Sequence, residues 1–196
     1  AVCVTGLVVV DTGTTFTLFG KIVIMMLIQF GGLGIMTFAS VIYVFLRRKM
    51  SVSNMLLMRE ALNQDSMSYL SNTVANIIKM TVIIECAGAL LLSFRFIPMY
   101  GALKGGFFSI FHAVSAFCNA GFDINSGNFS SITEFVGDPL IVLTISGLII
   151  LGGTGFAVIH EIKTFKKNKK LSLQARVVVG MTLFLIVAGT VGFFAF

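Results

Sequence analysis

One apolar run in this chain is too short to cross a bilayer, although it stands among runs that are long enough. Residues 105–117 hold 13 residues and lead into the glycine-bearing segment Cys118-Asn119-Ala120-Gly121-Phe122-Asp123. A helix over them covers about 20 Å at 1.5 Å per residue, against a hydrocarbon core of ~30 Å. Its downstream flank (Asp123, Asn125, Asn128, Glu134, Asp138) is not basic. The run is therefore predicted to be a re-entrant helix that dips in from the outer side and returns. Backbone that leaves a helix at membrane depth survives only when buried in protein or lining a water-filled cavity, and this is the first sign of a pore.

The surrounding runs fix the setting. Residues 18–46, 74–97, 139–165 and 177–196 are each apolar and long enough to span. With 57% apolar and 11% charged residues and a mean hydropathy of +0.99, the chain is an integral membrane protein rather than a soluble domain. Its net charge of +6 does not point to nucleic acid, because the basic residues are bunched at Arg47-Arg48-Lys49 and from Lys163 to Lys170, with Arg176 beyond. Such clusters mark the cytoplasmic side, and both fall on that side only if residues 105–117 do not span. The run 74–97 is expected to stop at Arg95 and Pro98. Asp138-Pro139 reads as a helix start, with an N-cap followed by proline at the first helical position. The chain begins without Met and inside a motif, so it is expected to be a fragment.

The chain also repeats itself. Leu27-Ile28-Gln29-Phe30-Gly31-Gly32-Leu33-Gly34 matches Leu148-Ile149-Ile150-Leu151-Gly152-Gly153-Thr154-Gly155 at an offset of 121, and Lys49-Met50-Ser51-Val52 matches Lys170-Leu171-Ser172-Leu173. Met80-Thr81 and Ala87-Gly88 meet Met181-Thr182 and Ala188-Gly189 at an offset of 101. Cys3-Val4-Thr5-Gly6 and Cys118-Asn119-Ala120-Gly121 stand 115 residues apart. The unit is span, re-entrant helix, glycine segment, span. Two spans per unit keep successive units in one orientation, unlike inverted repeats. The fold class is thus all-α integral membrane, built of repeats of span, re-entrant helix, glycine segment and span. Residues 1–58 are the end of the first unit, 59–171 the second, with its glycine segment at 118–123, and 172–196 the start of a third. The octapeptide glycines are either a packing notch between helices or the wall of a narrow aqueous path.

This pattern suits cation selection. A dehydrated alkali cation needs several hard oxygen ligands, which backbone carbonyls supply. Aiming successive carbonyls at one axis takes unusual backbone angles, which glycine adopts without the Cβ clash that costs other residues roughly 1–2 kcal/mol. A short helix pointing its carboxyl end inward adds partial negative charge.

The segments Val2-Cys3-Val4-Thr5-Gly6-Leu7, Leu27–Gly34, Arg59-Glu60-Ala61-Leu62-Asn63-Gln64-Asp65 and Ser115-Ala116-Phe117-Cys118-Asn119-Ala120-Gly121-Phe122-Asp123 resemble the Trk/Ktr/HKT superfamily of potassium transporters, and most closely the membrane subunit of the bacterial Ktr systems. The resemblance covers essentially the whole chain. It implies four potassium-channel-like repeats around one pore in the cell membrane, with one filter from each. The filter carbonyls would come from Val4, Thr5 and Gly6 and from Asn119, Ala120 and Gly121, and would bind the transported potassium, with sodium as the alternative ion. It further implies a multi-pass homodimer regulated by a cytoplasmic nucleotide-binding subunit such as KtrA. With two filters of the expected four, the chain alone would not conduct.

Other residues carry two readings each. Asp11 and Asp123 either hydrogen-bond the filter segment or hold an ion at the pore mouth. Glu85, near the middle of a span, must be neutral, paired or facing protein, and acts structurally or on ion passage. His112 reads as a packing or hydrogen-bonding histidine, with no second His, Cys or carboxylate at ligand spacing. His160-Glu161 reads as snorkelling to water, and residues 163–170 as a positive-inside anchor, a lipid contact or a partner contact. Cys3, Cys86 and Cys118 fit neither a disulfide framework nor a metal site. Against potassium uptake stand a sodium-permeable or weakly selective transporter of the same fold, an integral membrane enzyme and a purely structural subunit. An enzyme would need converging intramembrane acid–base or metal groups, and a structural subunit leaves the glycine segments unexplained.

Overall fold

The computed structural model describes residues 1–34, 69–125, 132–156, 158–159, 161–162 and 172–195. Arg47-Arg48-Lys49, the segment 59–65, Asn128, His160 and residues 163–170 lie outside the described residues. The described secondary structure is helical throughout: α1 (Thr12–Thr15), α2 (Leu18–Gly32), α3 (Tyr69–Tyr100), α4 (Ala102–Phe117), a 3-10 turn (Ile132–Phe135), α5 (Pro139–Thr154) and α6 (Leu173–Ala195). Two helical stretches, Ala75–Tyr100 and Leu173–Ala195, are long and apolar enough to cross a membrane.

α4 is the hub. It packs against α3, α5 and α2, while α3 also meets α5, and α5 touches α6. Every residue of α4 from Phe111 to Phe117 is buried, because it meets neighbours on all sides rather than on one face. Phe96 and Leu92 of α3, Phe108 and Phe111 of α4, Ile141 and Leu148 of α5 and Ile28 of α2 form the core. At its outer end Phe96 stacks edge-on with Phe135 (5.6 Å, 72°) and Phe108 (6.4 Å, 75°), a favoured aromatic geometry. Arg95 of α3 pairs with Asp138 (2.9 Å), and Asp138 also caps α5 by accepting from the Leu140 N–H (3.0 Å).

The helix limits differ from the sequence expectation in ways that have physical causes. α4 begins three residues earlier, at Ala102 after Gly101 with φ +82°, because the charge of Lys104 is accommodated: its ammonium lies 5.4 Å from the Tyr100 ring and 5.6 Å from the Phe108 ring. α3 runs past Arg95 and through Pro98 to Tyr100. The helix continues through the proline, and its last turn closes with Gly101 N–H donating to Ile97 O (2.9 Å).

Neither glycine-bearing run is one continuous helix. α2 ends at Gly32, and Gly34 sits at φ +81°; α5 ends at Thr154, and Gly155 sits at φ +85°. These glycines occupy the same step of the octapeptide, so both copies break there. Helical residues resume after Gly155, and residues 35–46 lie outside the described residues.

Candidate functional site

The carboxyl end of α4 points into Cys118–Gly121. The chain turns there by backbone bonds from Cys118 N to Val114 O (2.9 Å), Asn119 N to Ala116 O (3.1 Å) and Ala120 N to Ser115 O (2.8 Å). Asn119 and Gly121 then take left-handed angles, φ +56° and +67°. The first segment does the same 115 residues earlier: Val4 N donates to Ala1 O (3.1 Å), Val4 has φ +51° and Gly6 has φ +70°. A β-branched residue at positive φ is a genuine outlier, and strained backbone of this kind collects at functional sites. Matching left-handed positions in both copies make this conformation a property of the repeated sequence.

The two segments meet. A Cβ added to Gly6 would lie 2.6 Å from Ala120 O, and one on Gly121 would lie 3.7 Å from Gly6 Cα. The structure therefore brings Val4-Thr5-Gly6 beside Asn119-Ala120-Gly121. The octapeptide glycines lie directly behind them. A Cβ at Gly31 would overlap Val2 O, and one at Gly152 would overlap Phe117 O; Val2 and Phe117 are themselves equivalent, each just ahead of its glycine segment. Gly32 reaches across, because its Cβ would overlap the side chain of Cys118. Of the two readings of these glycines, the notch is the one whose contacts are visible.

Polar groups pin the second segment. The Ser115 hydroxyl donates to Phe122 O (2.7 Å) from a buried position. Asp123 Oδ1 accepts from Asn125 N–H (2.7 Å) and lies 2.9 Å from His112 Nε2, while Nδ1 of the same ring lies 2.8 Å from Phe108 O. Burial works against the charge on Asp123, but the His112 hydrogen bond and charge, with the backbone N–H groups of Asn125 and Ile132, hold its carboxyl below the usual carboxylate range. A cavity of about 310 Å³ lies behind the segment, lined by His112, Ser115, Asn119, Gly121 and Asp123 on one side and by Ile132, Ile145 and Ile149 on the other. Asp11 bonds locally: it caps α1, accepting from Gly13 N–H and the Thr14 hydroxyl (2.8 Å each). Gly13 in turn packs against the carbonyls of Ile124 and Asn125.

Glu85 is buried, hydrogen-bonded by Gln29 of α2, with Cys118 Sγ 4.0 Å from Oε1. The carboxyl group thus faces protein and joins α3 to α2 and to the turn after α4. Glu161 accepts from the N–H (3.1 Å) and hydroxyl (2.8 Å) of Ser172, and that hydroxyl receives Ala175 N–H (3.2 Å) at the start of α6. Sequence spacing hid the carboxylate partner of His112, because the eleven residues to Asp123 match no ligand pattern; the turn at residues 118–121 makes them neighbours. No group of three or more metal-ligating side chains occurs among the described residues.

The sequence matches the TrkH family, described as cation transport proteins, over residues 1–196. The chain belongs to the TrkH family. Among curated TrkH-type relatives it is 45% identical to the Ktr system potassium uptake protein B of Bacillus subtilis over 185 residues, covering 94% of this chain and 41% of that protein. It is 39% identical to the potassium/sodium uptake protein NtpJ of Enterococcus hirae, covering 98% of this chain and 42% of that one. It is 40% identical to the Ktr system potassium uptake protein B of Vibrio alginolyticus, again covering 98% and 42%. The chain spans less than half the length of these relatives.

Proposed function

We propose that this chain belongs to the pore-forming, multi-pass subunit of a potassium uptake system in the cell membrane, and that it supplies two of its selectivity filters. The observation that carries the reading is the pair of adjoining segments with the same left-handed positions, Val4 and Gly6 in one and Asn119 and Gly121 in the other. Such backbone turns successive carbonyls toward one axis, and carbonyls replace the hydration shell of potassium. In this reading Val4, Thr5, Gly6, Asn119, Ala120 and Gly121 offer the oxygens. Asp11 and Asp123 support the segments from the pore mouth, and α4 is the re-entrant pore helix. Residues 1–58, 59–171 and 172–196 belong to successive repeats. The protein acts as a transporter rather than an enzyme, as a homodimer with a cytoplasmic nucleotide-binding regulatory subunit that gates it. The relatives named for potassium uptake support the ion, and the one named for potassium and sodium supports a less selective second reading.

The test is Gly121→Ser in the full-length protein, with rubidium or potassium uptake followed in cells lacking other uptake systems and with sodium as competitor. A side chain at φ +67° is strained, so the preference for potassium over sodium is expected to fall while the protein still reaches the membrane. Unchanged selectivity would remove Gly121 from the filter.

A further inference from the structure

We infer that His112 is a positioning residue for the segment 119–123, tied to it through one proton shared with Asp123. The inference rests on the reading of that segment as an ion filter and adds what holds it in place.

The argument is one of donors and acceptors. Both neighbours of the imidazole are acceptors in kind: the carbonyl of Phe108 at Nδ1 (2.8 Å) and the carboxyl of Asp123 at Nε2 (2.9 Å). A neutral imidazole carries one N–H and cannot donate to both. The pair therefore holds one proton more than a neutral ring and a free carboxylate would, and its net charge is zero. The further N–H that Asp123 Oδ1 accepts from Asn125, at 2.7 Å, favours the carboxylate form, with the proton on the ring. The ring is largely shut off from bulk water, because His112 is 4% exposed and the rings of Phe96, Phe108 and Phe111 lie 5.5, 5.8 and 5.9 Å from it. Loss of the proton breaks one of two anchors and leaves an uncompensated negative charge beside the segment.

The other titratable groups on the surrounding elements have their own partners. Tyr100 of α3 bonds Asn125 Oδ1 (3.0 Å) and interacts with Glu134 of the 3-10 turn. Arg95 and Asp138 pair with each other, and Lys104 lies over the Tyr100 and Phe108 rings. Asp123 is the charged group in hydrogen-bonding reach of the ring among the described residues.

Two measurements test this. Solid-state NMR of the full-length protein, 15N-labelled at histidine and held in lipid nanodiscs near pH 7, identifies His112 by difference against His112→Gln. Both ring nitrogens are expected to be protonated, and Asp123→Asn is expected to abolish that signature. A ring with a single N–H in the wild type overturns the inference, whether or not the protein transports anything. In uptake assays His112→Gln should lose about threefold to tenfold of the wild-type preference for potassium over sodium, the size of one hydrogen bond. If His112→Gln does not reach the membrane, Asp123→Asn carries the same comparison. A variant with wild-type preference overturns the positioning role. Absence of wild-type potassium uptake overturns the filter reading and the positioning role with it, while the NMR result still decides where the proton lies.

Discussion

Asn119 and Val4 occupy the same left-handed place in the two copies, but only one of them has a side chain that tolerates it. Asn visits this region with local hydrogen-bonding help, and its Nδ2 donates weakly to Phe117 O (3.4 Å). Asn119 is exposed, so truncating it removes little packing, and the backbone term should dominate. Asn119→Ala is expected to destabilise the protein by about 1 kcal/mol, whereas Asn119→Gly should cost less or nothing. Thermal unfolding of the two variants in one detergent gives the comparison, and equal losses would mean that φ is not what Asn119 supplies. Asp123 adds a pH dependence of known sign. Its carboxyl is held below the ordinary range, so its stabilising contribution is complete above that range and disappears as pH falls through the lowered value. The stability gap between the wild type and Asp123→Asn should therefore narrow on acidification, and a gap that widens would contradict the pairing with His112. Residue identity alone marked the glycines, because no other residue suits a reversed φ so freely. It could not mark Val4, whose strain comes from what surrounds it and not from its chemistry.

At the scale of elements, the close approaches are made by glycine. Within lipid, helices gain nothing from burying one apolar surface against another, so contact depends on fit. The glycines of α5 provide a test with its own control. A Cβ at Gly152 would overlap Phe117 O, whereas one at Gly147 meets nothing within 4 Å. Gly152→Ala is expected to cost about 1–3 kcal/mol through overpacking and to disturb ion preference by pushing the end of α4. Gly147→Ala should be neutral, or stabilise by up to about 1 kcal/mol through helix propensity. Similar effects of both on unfolding temperature would refute the contact. Hydropathy made the elements legible, since apolar runs bounded by charge announce helices, and the length of residues 105–117 singled out α4. The breaks at Gly34 and Gly155 were not legible, because a glycine inside an apolar run looks the same whether it continues a helix or ends it. Only the backbone shows which.

For the molecule as a whole, family and transport class could be read from motifs in order along the chain, and the TrkH match extends over all of it. How distant segments touch could not be read that way, because Gly32 and Cys118 lie far apart in sequence and share no pattern. Their contact joins α2 to the turn after α4, beside the link from Gln29 to Glu85. Gly32→Ala should weaken the fold, and Cys118→Gly should relieve part of that loss, so the pair should be coupled rather than additive. Additive losses in a double-mutant cycle would place the two residues out of contact. The break at Gly155 has a mechanical consequence. The helix of α5 stops one residue short of it, at Thr154, so the close approach of Gly152 to Phe117 O is set by the seating of α5 itself and not by the helical residues beyond the break.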